Sequence, residues 1–144
     1  MNVDGILRAK GGNVVTIGPD ASVADLVAGL RDAGIGAMVV SADGRTVDGI
    51  VSERDVVRAL AQHGGRVVDR PVSDLMTRSV VTCSPRDSVK QLMSEMTRRR
   101  IRHLPVVADG ALVGIVSIGD VVKNRLEEME TETNVLREAY IGRQ

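Results

Sequence analysis

The 144-residue sequence has no tryptophan, no phenylalanine and a single tyrosine, Tyr140. A nucleic-acid surface that stacks bases on aromatic rings therefore cannot be built from it. The core has to be aliphatic. One cysteine, Cys83, excludes an internal disulfide and any multi-cysteine metal site, and fits a reducing compartment. Within its strand-like surroundings Cys83 is expected to act as a small buried hydrophobe. With two histidines, His63 and His103, and no cysteine or paired carboxylate near them in sequence, no metal site is expected. Charge of one sign is also missing, because 19 Lys+Arg balance 19 Asp+Glu. No overall field draws the chain to nucleic acid or to an anionic membrane, so any anion site must be local. No apolar run approaches the roughly 20 residues that span a bilayer. The first twelve residues carry Asp4, Arg8 and Lys10 with no apolar leader core. These absences lead to the expectation of a cytoplasmic protein without membrane or nucleic-acid partners.

What the chain has in quantity is valine, 24 residues of it, within a make-up that is 43% hydrophobic and 26% charged. That is globular composition, and β-branched side chains at this density favour strand. The sequence also repeats itself with a period of about 66 residues. Residues 14–44, VVTIGPDASVADLVAGLRDAGIGAMVVSADG, lie over residues 80–110, VVTCSPRDSVKQLMSEMTRRRIRHLPVVADG. After a one-residue deletion, GIVSERDVV at 49–57 lies over GIVSIGDVV at 114–122.

Each copy carries the same punctuation. A short strand at 14–17 stops at Pro19, and Ser22 with Asp25 three residues on opens a helix bearing Val23, Leu26, Val27 and Leu30. In the second copy Ser88 opens a helix with Val89, Leu92, Met93 and Met96. Two strands follow in each case, at 37–41 and 47–51 and at 104–107 and 112–116, separated by Asp-Gly hairpin signals. Ser52 and Ser117 then cap a last helix. Residues 62–71 have linker composition, and 72–76 and 3–9 resemble short helical lead-ins to the two copies. A unit of about 45 residues can hardly bury a sufficient core alone, so the halves are expected to pack face to face. The division expected is 1–61 for the first repeat with its lead-in, 62–71 for the linker, 72–125 for the second repeat and 126–144 for a C-terminal helical extension.

The motif that calls for chemistry is Gly-Ile-Val-Ser-x-x-Asp, at 49–55 and again at 114–120. Free backbone N–H groups and the positive end of the helix dipole favour an anion at such a serine. A carboxylate one turn inside can accept hydrogen bonds from a ribose diol. Together they suggest a nucleotide. Read alone, Ser-x-x-Asp is also an ordinary capping box.

Taken whole, residues 14–122 resemble a tandem pair of CBS domains, the regulatory modules named after cystathionine β-synthase. The resemblance is carried by DLMTRSVVTCSPRDSV, RIRHLPVV and GIVSIGD, with partner copies VVTIGPDASV, GIGAMVV and GIVSERD. It is greatest for small stand-alone bacterial CBS-pair proteins. The resemblance implies an α/β (α+β) fold of two βαββα repeats packed face to face as one Bateman-type module, with a C-terminal helix added. It further implies two clefts that take adenine nucleotides. Carried residue by residue, one cleft would use Asp120, Ser117, Val81, Thr77, Ile101 and Pro105, with Arg102 and His103 toward phosphates. The other would use Asp55, Ser52, Val15 and the strand around Met38.

The copies differ where charge matters. Arg102-His103 stands over Gly36-Ala37, and Arg54 stands over Gly119. An arginine fork binds phosphate bidentately. Unequal clefts are therefore expected, the Asp120 cleft preferring a phosphorylated nucleoside, with Arg54 placed to serve either ligand. The basic run Arg98, Arg99, Arg100 and Arg102 suits a helix C-terminus, with one or two members turned toward a phosphate. No base, nucleophile or metal completes a catalytic set. The expectation is a non-enzymatic regulatory module that requires no cofactor and binds AMP, or else ADP, ATP or NAD. It would change shape or dimer packing on binding and signal to a separate protein. A ligand-free homodimeric scaffold is the alternative. Leu126, Met129, Thr133, Leu136 and Tyr140 form a heptad-like stripe in the tail, suited to packing on the module itself or on a second chain.

Overall fold

The computed structural model of the chain describes residues 1–11 and 13–142, so the last two residues of the expected C-terminal extension lie outside the described residues. The first repeat has the expected order: β1 (Thr16–Ile17), α2 (Val23–Ala33), β2 (Ala37–Val40), β3 (Gly49–Ser52) and α3 (Glu53–His63), preceded by α1 (Val3–Lys10). The second contains α4 (Val89–Arg99), β4 (His103–Ala108), β5 (Ala111–Ser117) and α5 (Ile118–Gly142). β1 runs parallel to β2, and β2 pairs antiparallel with β3. β4 and β5 form an antiparallel hairpin. The opening strand expected in the second repeat is reduced to one parallel bridge between Cys83 and Val106.

Local chemistry explains the boundaries. The hydroxyls of Ser22 and Ser88 accept from the backbone N–H three residues on, as their sequence positions require. Asp109 (φ 52°) and Gly110 (φ 77°) are both left-handed, which gives the β4–β5 hairpin its tight two-residue turn. The first repeat carries the same Ala-Asp-Gly but forms a wider loop. There the Asp43 carboxylate accepts from the amides of Arg45 and Thr46 and from the hydroxyls of Ser41 and Thr46, and this knot takes the place of the two-residue turn between β2 and β3. The expected linker is structured too: a 3-10 turn over Gly64–Asp69 packs against α2 and α3 and buries Val67 completely.

The halves are joined more intimately than face-to-face packing requires, because each lead-in packs on the opposite repeat. Val3 and Ile6 of α1 sit in the second core, with Cys83, Val89, Leu92, Met96, Leu104, Val106, Val116 and Val121. Val72, the short turn Val72–Asp74 and the adjoining Leu75 and Met76 close the first core over Val23, Leu26, Leu30, Met38, Val40, Val51 and Val56. Backbone bonds seal the exchange. Ile50 N donates to Thr77 O at 3.0 Å and Thr77 N to Ile50 O at 2.9 Å, and Val3 N donates to Asp87 O at 2.9 Å. Cys83 is buried and free, and desolvation pushes its thiol up to about 12, so it is an unreactive apolar residue, as expected.

The glycine opening each Gly-Ile-Val-Ser lies where a lead-in crosses. A Cβ at Gly49 would stand 2.7 Å from Met76 Sδ and 2.9 Å from the Thr77 carbonyl oxygen, and one at Gly114 would stand 2.5 Å from Leu7 Cδ2. The carbonyl contact cannot be relieved by a side-chain rotation. Gly49→Ala is expected to destabilise the fold by about 1–3 kcal/mol through overpacking. Gly18→Ala, where nothing lies within 4 Å, is expected to stay within about 0.5 kcal/mol of the parent. Denaturant midpoints of the two variants check this.

Candidate functional site

The crossing of the second lead-in over β3 opens a cleft of about 370 Å³ between the repeats. That volume lies within the roughly 300–1,000 Å³ range of small-molecule sites. Ile50, Val80, Val81 and Ile101 form an apolar wall. Facing it are Ser52, Glu53, Arg54 and Asp55 from the start of α3, and Arg100, Arg102 and His103 from the end of α4 and the start of β4. Thr77 and Ser79 complete the rim, and Gly36 and Ala37 bring the edge of β2 to it. A Cβ at Gly36 would meet Glu53 Oε1 at 2.7 Å and His103 Cε1 at 3.7 Å. The glycine thus makes room for both side chains.

Arg100 holds its place at a conformational cost. It terminates α4 with φ 54°, in the left-handed region, where the first repeat has Gly34 at φ 64°. A non-glycine residue there is strained by about 1–2 kcal/mol, and such strain clusters at functional positions. Its amide closes the helix on Met96 and Thr97 carbonyls while its side chain lines the cleft. Arg98 and Arg99 behave differently: both bond the Glu95 carboxylate, at 2.6 and 2.7 Å, on the helix surface. Of the basic run, then, Arg100 and Arg102 reach the cleft.

Both Ser-x-x-Asp motifs form capping boxes. Asp55 Oδ2 accepts from Ser52 N at 2.8 Å and from Ser52 Oγ at 3.1 Å. Among the described residues its other oxygen takes no hydrogen bond, so the cap consumes half of the carboxylate and leaves half to the cleft. Asp120 Oδ2 accepts from Ser117 N at 2.9 Å but also from Lys10 Nζ at 2.7 Å. The same ammonium donates to Ile115 O at 2.9 Å. Ile115 is the counterpart of Ile50, so a lysine head occupies in the second repeat the place where the first receives the Thr77 amide. Burial opposes ionisation of Asp120, but the Lys10 ammonium and the Ser117 amide hold its carboxyl below the usual range. His103 is shifted down. Burial is the main cause, with the cations of Lys10 and Arg102 reinforcing it and Asp120 and Glu53 opposing it.

The structure regroups the residues singled out by sequence. Thr77, Val81, Ile101, Arg102 and His103 share a cleft with Ser52, Arg54 and Asp55, not with Asp120 and Ser117 as expected. The exchange of lead-ins is the reason, since it lays the second repeat's entry segment on the first repeat's β3. Pro105 is buried in β4, pairing with Ile115, and lines no part of the cleft. Met38 is 2% exposed beneath α2, because β2 is covered on both faces. Val15 is 45% exposed on the segment before β1 and is likewise not in the cleft wall. Gly36 and Ala37, the uncharged counterparts of Arg102-His103 beside Met38, do line the cleft with Asp55, whereas Ile50, Glu53, Ser79 and Val80 are not among the expected site residues. Of these, Ile50 and Glu53 had a signal, as they flank Gly49 and Ser52 in the motif itself.

The CBS-domain family profile matches residues 9–62 and 72–127. A CBS domain-containing mitochondrial protein of Arabidopsis thaliana, CBSX3, is 34% identical over 96% of this chain and 71% of its own length. The crystal structure of the CBS-domain protein ATU1752 from Agrobacterium tumefaciens is 47% identical, covers 87% of this chain and 99% of its own, and superposes with a TM-score of 0.83. The CBS pair of protein MJ0100, solved in complex with 5′-methylthioadenosine and S-adenosyl-L-methionine, shares the fold at 24% identity and TM-score 0.72, covering 85% of this chain and 98% of its own. Among the described residues no helix is long and apolar enough to cross a membrane. With the repeat, the interlocked halves and the twofold Gly-Ile-Val-Ser-x-x-Asp motif all accounted for, the chain belongs to the CBS-domain family, as a tandem pair.

Proposed function

We propose that this CBS pair is a non-enzymatic regulatory module that binds a phosphorylated adenine nucleoside, AMP first, in the cleft between Asp55 and Arg102. One observation carries the reading: an apolar wall, a half-free carboxylate and three guanidinium groups meet in one hollow built by both repeats. The base would lie on Ile50, Val80, Val81 and Ile101. Asp55 would accept from the ribose, while Arg54, Arg100 and Arg102 would hold phosphate by charge-assisted bonds. The adenosyl ligands in the MJ0100 pair support the ligand class. The guanidinium groups favour a phosphorylated member of that class over an uncharged or cationic one. A ligand that touches both repeats prefers one arrangement of them, which is what a sensor needs. A plain scaffold has one observation in its favour, the closed capping boxes, and thermal shift separates the two: AMP raises the melting temperature of a binder and leaves a scaffold unchanged.

Asp55→Ala and Asp120→Ala each remove an equivalent cap, so a difference between them reports the ligand. AMP affinity by calorimetry is expected to fall at least about tenfold, or 1.4 kcal/mol, for Asp55→Ala. It should change by less than about threefold for Asp120→Ala; equal losses would contradict the assignment.

Arg100→Gly should separate stability from binding. It relieves the left-handed strain, raising stability by about 1 kcal/mol, and it removes a phosphate partner, lowering AMP affinity by about tenfold. Paired melting and titration curves check both signs.

Half-buried His103 resists protonation, so the unfolded chain binds that proton more readily. Its contribution to stability is present above the unfolded value of about 6.5 and is lost as pH falls through that value toward the lower folded one. A phosphate beside the ring reverses the preference. AMP binding should therefore take up protons and tighten as pH falls, and His103→Gln should lose that component when titrations in buffers of different ionisation enthalpy are compared.

A further inference from the structure

Glu53 stands where a phosphate site has no use for a carboxylate. It lines the cleft beside Arg54, Arg100 and Arg102. Its counterpart in the second repeat is Ile118, so the Gly-Ile-Val-Ser-x-x-Asp motif does not call for an acid at this place. As the first residue of α3 it suits the positive end of the helix dipole. The dipole accounts for the residue type but not for where the head lies. The Cβ that Gly36 lacks would stand 2.7 Å from Glu53 Oε1 and 3.7 Å from His103 Cε1, so the carboxylate rests over the Gly36 notch, close to the imidazole. Among the described residues Glu53 forms no ion pair, and neither do the three arginines.

The position is a junction. The cleft and the neighbouring hollow between α2 and α3 share two lining residues, Gly36 and Glu53. On its other flank the cleft shares Asp55 with a smaller hollow lined by Arg58 and Arg70. A carboxylate therefore stands at each of these two continuations. With the ribose on Asp55, Glu53 faces whatever extends beyond the first phosphate.

Three guanidinium groups against two carboxylates leave the lining one positive charge in excess when His103 is neutral. A phosphate monoester brings about two negative charges at neutral pH. Every further phosphoryl group adds negative charge beside Glu53. Given the nucleotide assigned to this cleft above, we propose that Glu53 sets the phosphate count, admitting a nucleoside monophosphate and repelling the second and third phosphates of ADP and ATP. Discrimination then comes from a repulsive element and not from extra contacts to AMP. The same charge weakens AMP binding somewhat, but the penalty grows with the charge of the ligand.

Calorimetric titration of AMP, ADP and ATP into the parent, Glu53→Gln and Glu53→Ala tests this, at low ionic strength with EDTA so that the phosphates carry no divalent metal. Glu53 is exposed, so both variants should keep the fold, which circular dichroism checks. Glutamine keeps the shape and alanine does not, so an effect common to both reports the charge. The parent is expected to bind AMP at least about tenfold more tightly than ATP. In both variants ATP affinity should rise about threefold to tenfold more than AMP affinity, with ADP between them. A parent that prefers ATP, or an AMP-to-ATP ratio left unchanged in either variant, would overturn the proposal while leaving nucleotide binding in place. A parent that binds none of the three would overturn the nucleotide assignment itself, and this inference with it.

Discussion

The pair of backbone hydrogen bonds between Ile50 and Thr77 is the constraint on which the rest of the structure depends. It carries the entry segment of the second repeat across β3 of the first. With the reciprocal placement of α1 in the second core, it makes each repeat incomplete without the other. Two units too small to bury a core separately thereby complete each other's cores. The same crossing forms the cleft. Ile50 is both a bridge partner and part of the apolar wall, and Thr77 is both a bridge partner and part of the rim.

Duplication produced two chemically similar motifs, and the structure treats them unequally. Each aspartate caps its helix with one oxygen, so capping and ligand binding do not compete for the same atom. The difference comes from outside the motif. Lys10, at the end of α1, bonds the capping oxygen of Asp120 and the Ile115 carbonyl together and so places its ammonium beside that carboxylate, while Asp55 faces a hollow lined by Arg54, Arg100 and Arg102. Sequence asymmetry had pointed to the Asp120 side for phosphate because Arg102 and His103 lie in the same repeat as Asp120. The charges are where the sequence puts them. Arg102 and His103 line the hollow with Asp55, while His103 still feels the charge of Asp120 from the other side.

Much of the fold was legible because it rests on local rules. The repeat, the capping serines, the helices with their apolar spacing and the Asp109-Gly110 turn all follow from residues within a few places of one another. What escaped is long-range. Nothing in residues 72–81 declares that they complete the first repeat, and nothing in residues 3–10 announces a home in the second. One trace existed: a glycine opens each Gly-Ile-Val-Ser because another chain segment passes within van der Waals contact there. The β2–β3 hairpin closes through a longer loop at 41–48 than the tight turn of the second repeat, because Asp43 bonds its own turn. Arg100 was visible as part of a basic run. Only its left-handed backbone, at the place of Gly34, separates it from the surface pairs of Arg98 and Arg99.

The central claim is that one cleft, shared across the repeats, takes the nucleotide while Lys10 holds the pseudo-equivalent position in the other half. Amide chemical-shift mapping during an AMP titration of the isotope-labelled chain tests it most directly. The account predicts saturable shifts at residues 52–55, 77–81 and 100–103, with 117–120 and Lys10 left in place. Shifts concentrated at 117–120 and around Lys10, with the first set unmoved, would contradict it.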